Sequence, residues 1–249
     1  MFSPLEQFEL ISLFRINAFG LDFSIINSSF IFFINLFYIY ILFSPFLSKL
    51  KVIPTNGYQL CFEQFYIIVQ NILVSNSGLS NQFYFPVIFN LASFLSISNF
   101  IGLIPFGFTV TSHILITLAL SFSIFFSINF LGVKKHRMKF LGLFLPSGTP
   151  FAIMPFLFLI ELLSYVSRVF SLAIRLFANM MSGHTLLKIL TSFLFSSLTL
   201  CSFYLFLNVL PIALLHVIIG MEICIAILQV YVFLVLSCLY LNDITHIGH

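Results

Sequence analysis

Residues 156–203 read FLFLIELLSYVSRVFSLAIRLFANMMSGHTLLKILTSFLFSSLTLCSF, a run of 48 positions without proline and with the single glycine Gly183. An unbroken helix of that length is about 70 Å long, more than twice the ~30 Å hydrocarbon core of a bilayer. Asn208 and Pro211 then mark a turn and a fresh helix start. A second apolar helix over 209–241 is about 50 Å long. Two such helices cannot both stand upright in a membrane: they either break or lie over. Ionisable residues are spread along both instead of clustering at two ends, which favours a long, steeply tilted, membrane-embedded helical hairpin, 156–203 and 209–241.

The rest of the chain fits that setting. Of its 249 residues, 61% are hydrophobic and 7% charged, against about 45–50% and about 25% in soluble domains. Mean hydropathy is +1.16. A soluble enzyme, a disordered chain and a disulfide scaffold are excluded, and long apolar runs argue against a barrel. The expectation is a single all-α membrane domain over 1–249. Ordinary spans fall at 23–47, 83–105 and 113–133. Segment 52–75, interrupted by Gln59, Glu63, Gln64, Gln70 and Asn71, is too polar to span. It reads as an interfacial helix, with a short soluble helical pair as the rival. Lys49 and Lys51 follow the first span, and Lys134, Lys135, His136, Arg137 and Lys139 the third. The positive-inside rule puts both loops on one side, so the N-terminus is expected outside and the C-terminus inside. Residues 1–21 lack the basic start and clean apolar core of a cleavable signal. A net charge of +3 with no basic face disfavours nucleic acid. Abundant Phe with no Trp suggests an AT-rich coding genome. Cys61, Cys201, Cys224 and Cys238 form no CxxC and read as small hydrophobes.

Charges stand out against this background. Glu161, Arg168, Arg175, His184 and Lys188 lie on the first arm, His216 and Glu222 on the second, with Gln229 beyond. A charge at mid-bilayer costs about 2.5–3.5 kcal/mol on insertion scales, so such groups sit inside protein or a water-filled cavity and mark ion pathways. Glu161, Arg168 and Arg175 recur every seven residues, a step that drifts only about 20° around a helix, so they share one stripe. Ser171 and Asn179 flank Arg175 on the same face. Glu222 and Gln229 repeat the step, and two such stripes facing each other would enclose a polar seam. For Arg168 with Glu161 a structural ion pair is an equal alternative. Arg175 has no acid within four residues; its counter-charge is either Glu222 or a carboxylate on another subunit. Arginine keeps its proton and holds a nearby acid ionised, whereas Glu and His exchange protons. The pattern reads as a proton path with an electrostatic gate. Asn99, Ser112, Ser171, Asn179 and Gln229 either line water or hydrogen-bond between helices. Asp243 serves either the inner exit or an interfacial anchor. His113 and His216 read as packing or solvated groups.

The blocks IELLSYVSR at 160–168 and SLAIRLFANMMSGH at 171–184 closely resemble subunit a of F-type ATP synthases. So do SNFIGLIP at 98–105, TSH at 111–113, SPLEQFE at 3–9 and LQVYVF at 228–233. The resemblance covers nearly the whole chain. The opening motif, and His184 on the first arm with Glu222 on the second, resemble the mitochondrially encoded type; bacterial relatives often exchange the acid and the histidine. Val169 stands where many relatives carry proline, which touches local helix shape and no proton-carrying group.

The resemblance implies a proton-translocating stator of the ATP synthase membrane sector, with no catalytic site, cofactor or metal of its own. It implies two offset aqueous half-channels against a rotating c-ring. Arg175 would separate them, His184 and Glu222 would serve the outer access path, and Glu161 the inner exit. Implied partners are c-ring, peripheral-stalk and other membrane-sector subunits, and lipids such as cardiolipin. The implied location is the mitochondrial inner membrane, multi-pass, with the N-terminus in the intermembrane space and the C-terminus in the matrix. Two other classes carry intramembrane charges. A proton-coupled secondary transporter would show an internal repeat with paired broken helices, and none is visible. A haem- or quinone-binding membrane subunit of a respiratory complex needs histidines placed for axial ligation, and the six here are scattered. The absence of a Walker-type loop argues against ATP binding by this chain.

Overall fold

The computed structural model describes residues 8–15, 17–18, 21–22, 24–48, 57–104, 107–137, 142, 153–200 and 209–245. Among the described residues six α-helices dominate: α1 Asn27–Ser48, α2 Gly57–Ser77, α3 Phe85–Gly102, α4 Ile114–His136, α5 Met154–Leu200 and α6 Val209–Thr245. The protein is an all-α membrane protein, with helical segments Leu79–Gly102, Ile114–His136, Met154–Ser197 and Val209–Thr245 long and apolar enough to cross a bilayer. Lys49, Lys51, Lys139, Cys201 and Asn208 lie outside the described residues, as does the start of the segment at 52–56.

Local sequence accounts for the helix ends. Pro155 and Pro211 occupy the first turns of α5 and α6, where a missing N–H costs nothing. Gly78 closes α2: its φ of 78° belongs to the left-handed region, and its N–H reaches the Val74 carbonyl at 3.1 Å. A 3₁₀ segment, Leu79–Tyr84, leads into α3. Before α1 the chain makes four very short strands, β1 Ser12–Phe14, β2 Asn17–Ala18, β3 Leu21–Asp22 and β4 Ile25–Ile26. They form two antiparallel ladders, β1 with β4 and β2 with β3.

The chain divides into two compact units, and α1, α3, α5 and α6 contribute to both. The first comprises Met1–Phe43, Phe94–Ile114 and Leu176–Gln229. Here α1 is pinned to α3 by the fully buried Asn35, whose Nδ2 donates to Ser98 Oγ at 3.2 Å. The Phe32 and Phe94 rings meet nearby at 5.6 Å.

The second unit comprises Ser44–Ser93, Leu115–Arg175 and Val230–His249. Its α2 buries Val69, Ile72 and Leu73, and Phe62, Phe65 and Tyr66 converge on Phe89 of α3. Another core joins α4, α5 and α6 through Ile128, Tyr165, Tyr240 and Ile244. Asn81 Nδ2 donates to Thr245 Oγ1 at 2.9 Å, and Lys135 Nζ to the Thr245 carbonyl at 3.3 Å.

Candidate functional site

In the first unit, His184 of α5 and Glu222 of α6 face each other, Nε2 to Oε1, at 3.9 Å. Glu222 is 6% exposed, and neither atom has a hydrogen-bond partner among the described residues. Gly183 makes the approach feasible: a Cβ there would lie 2.5 Å from Glu222 Oε1 and 3.0 Å from Cδ. Asn99 of α3 is buried and donates from Nδ2 to the Ala226 carbonyl, 3.2 Å away, one turn along α6 from Glu222. Its Oδ1 is unpartnered among the described residues. Gln229, two turns from Glu222, is also buried. Asn179 is half-buried, and its carbonyl accepts from Ser182 Oγ at 3.3 Å. The polar groups on this stretch of α6 therefore share one buried face, as the seven-residue spacing of Glu222 and Gln229 requires.

In the second unit, Arg175 and Ser171 lie exposed on α5. They border a shallow groove of about 660 Å³ whose other walls are Leu163, Val166, Ser167, Phe170 and Ile174. Arg175 has no ion pair within 4.0 Å among the described residues. The groove is a cation in an apolar frame, open to the outside of the chain. Arg168 lies one turn beyond Ser164, whose Oγ is 3.5 Å from Nη2. Its field acts on Asp243 and Tyr240 of α6. Glu161 also lies within electrostatic range of Asp243. Beneath these groups Tyr165, 5% exposed, donates from its hydroxyl to Asn129 Oδ1 at 2.9 Å. Its ring meets Tyr240 at 5.5 Å.

His113, between α3 and α4, is half-buried and stacks on Phe108 at 5.1 Å. Burial pushes its imidazole below the ordinary 6.5. His216 is exposed, with Nδ1 2.9 Å from the Ile212 carbonyl. Among the described residues no three His, Cys, Asp or Glu side chains converge as a metal site. Thr109, Asn129, Tyr165 and Tyr240, and the packing role of Gly183, are not legible in sequence, because each is an ordinary residue for its segment until its neighbour across the fold is known.

Spanning helices that bury an acid against a histidine and expose an arginine define a class: polytopic membrane proteins that handle ions inside the bilayer. The family model described as ATP synthase A chain matches residues 27–242. ATP synthase subunit a of Chondrus crispus is 47% identical over 242 residues, covering 97% of this chain and 95% of that one. The subunit a of Acanthamoeba castellanii is 40% identical over the full length of both chains, and that of Brassica napus 43% identical over 97% of this chain and 95% of its own. This chain belongs to the ATP synthase A chain family.

Proposed function

We propose that this chain is the proton-conducting stator of the ATP synthase membrane sector, and that its two polar groups serve two half-channels. His184 and Glu222, with Asn99, Asn179 and Gln229, form the access path on the side reached from the intermembrane space. Glu161, Arg168 and Asp243 form the exit on the matrix side, and Arg175, flanked by Ser171, stands between the paths in chain order along α5. The partner surface is a ring of c subunits carrying one membrane carboxylate each. The chain lies in the mitochondrial inner membrane, N-terminus in the intermembrane space and C-terminus in the matrix, and peripheral-stalk subunits and lipids cover its other faces.

The observation that carries this reading is the exposed Arg175, without an ion pair among the described residues, in an apolar groove. A fixed cation in such a frame attracts a carboxylate from another subunit and lowers that group's pKa, which favours proton release. Being permanently charged, it cannot pass the proton on and opposes direct hopping between the paths. The side chains of His184 and Glu222 are both able to carry a proton, and their 3.9 Å separation admits transfer once either moves slightly or a water bridges them. Each proton descending the potential supplies about 2.3 kcal/mol per 100 mV, and a leak past Arg175 wastes it.

The test is Arg175→Ala in the assembled complex. Coupled ATP synthesis and ATP-driven pumping should vanish, while passive proton conduction through head-stripped vesicles persists or rises. Arg175→Lys should also fail, because it loses the planar five-donor head and a buried lysine can lose its proton. An assembled Arg175→Ala complex with intact coupling would reduce Arg175 to a structural residue and sink the mechanism.

A further inference from the structure

The segment joining α3 to α4 carries a buried hydroxyl that the proposed path has not yet used. Thr109 is 2% exposed, and its Oγ1 has no hydrogen-bond partner among the described residues. Its backbone is held: φ is −92° and ψ 115°, and its carbonyl accepts from Ser112 N at 3.4 Å and Ser112 Oγ at 2.6 Å. The 3₁₀ turn Val110–Ser112 thus fixes where the Thr109 side chain starts.

That side chain packs against a glycine that also neighbours the histidine. A Cβ on Gly102 would lie 2.9 Å from Thr109 Cγ2 and 4.0 Å from His184 Nε2. The methyl of Thr109 and the Nε2 of His184 thus both border the same bare stretch of α3. Asn99, three residues earlier on that face of α3, is tied to Ala226 one turn past Glu222. Thr109 Oγ1, His184 Nε2, Glu222 Oε1 and Asn99 Oδ1 are all buried and all unpartnered among the described residues. Leaving one such group unsatisfied costs about 1–3 kcal/mol; Asn35 Oδ1 and Thr111 Oγ1 of the same unit are also without a partner among the described residues. Buried polar groups without a protein partner are satisfied by internal water.

We infer that Thr109 is a positioning residue of the access path: its hydroxyl holds the water through which protons reach the His184–Glu222 pair, with Asn99 Oδ1 taking the next water along α6. A hydroxyl both donates and accepts, so it keeps a water chain oriented for transfer in either direction without itself ionising. The titratable groups on this segment and at the pair are His113, four residues further along, His184 on α5 and Glu222 on α6. This inference rests on the reading of His184 and Glu222 as access groups.

The hydroxyl and the methyl of Thr109 are separable. Valine keeps the methyl against Gly102 and removes the hydroxyl; serine does the reverse. ATP synthesis by the whole complex in vesicles is measured against proton concentration on the access side, with the other side held constant. Thr109→Val should raise the half-saturating proton concentration roughly fivefold, the scale of one neutral hydrogen bond, and leave the maximal rate close to that of the parent. Thr109→Ser should recover most of that loss. A normal Thr109→Val, or a Thr109→Ser at least as impaired, would mean that the methyl packing is what matters and overturns the inference. If the valine complex does not assemble, Thr109→Ala against Thr109→Ser isolates the hydroxyl, and equal behaviour of those two overturns it equally. Glu222→Gln separates the levels. Unchanged synthesis in that variant at limiting driving force removes the access reading itself, whereas slow synthesis there beside a normal Thr109→Val removes only the role of Thr109.

Discussion

Gly183 occupies a helix position where alanine is ordinarily preferred by about 1 kcal/mol. The carboxylate of Glu222 takes the space that a Cβ would fill. Gly183→Ala should therefore separate stability from transport. The complex should assemble with undiminished thermal stability, because the obstructed atoms are the far end of a flexible side chain, while proton uptake slows as that end is displaced. Adding Glu222→Asp, one methylene shorter, should restore part of the rate. Measured synthesis unaffected by Gly183→Ala would show that the carboxylate needs no fixed position. The charged members of the site were legible in sequence, since Glu161, Arg175, His184 and Glu222 are conspicuous in apolar runs. Their surroundings were not. The hydroxyl of Tyr165 meets an amide 36 residues earlier, and Asn99 meets a carbonyl 127 residues later. No periodicity within a helix carries such pairings.

At the scale of elements, α5 spans 47 residues and α6 37, about 70 and 55 Å at 1.5 Å per residue. The far part of α5 stays apolar, with Phe193 60% and Phe195 72% exposed, so letting it project into water is costly. The expectation is therefore that α5 lies over. Fitted within a bilayer of about 45 Å including headgroups, α5 should make an angle of at least roughly 50° with the membrane normal. Depth measurements with spin labels along α5, or a density map of the complex, check this; a near-upright α5 rules it out. The length of this arm was readable because proline is missing from 156–203, whereas its beginning was obscured by Pro155, which reads as a breaker and is accommodated in the first turn. The ladders of β1 to β4 left no readable trace, since strands of two or three residues are too short to show alternation.

For the whole molecule, the groove around Arg175 is lined mostly by apolar side chains and carries an exposed cation. A cysteine placed at Ser171 should react with a membrane-permeant thiol reagent in the isolated chain and be protected in the assembled complex. Equal labelling in both states would place the ring elsewhere. Assembly has an earlier stage as well. Asn35 sits at the heart of α1, and its amide donates to Ser98, 63 residues further along the chain. At a synthesis rate of about 5–20 residues per second, α1 leaves the ribosome roughly 3–13 s before its companion is made. During that interval the amide lacks the hydroxyl it bonds in the finished fold and has only the carbonyls of its own helix to turn to. If α1 enters the membrane on its own, its insertion should contain a waiting step that ends when α3 brings Ser98 to Asn35.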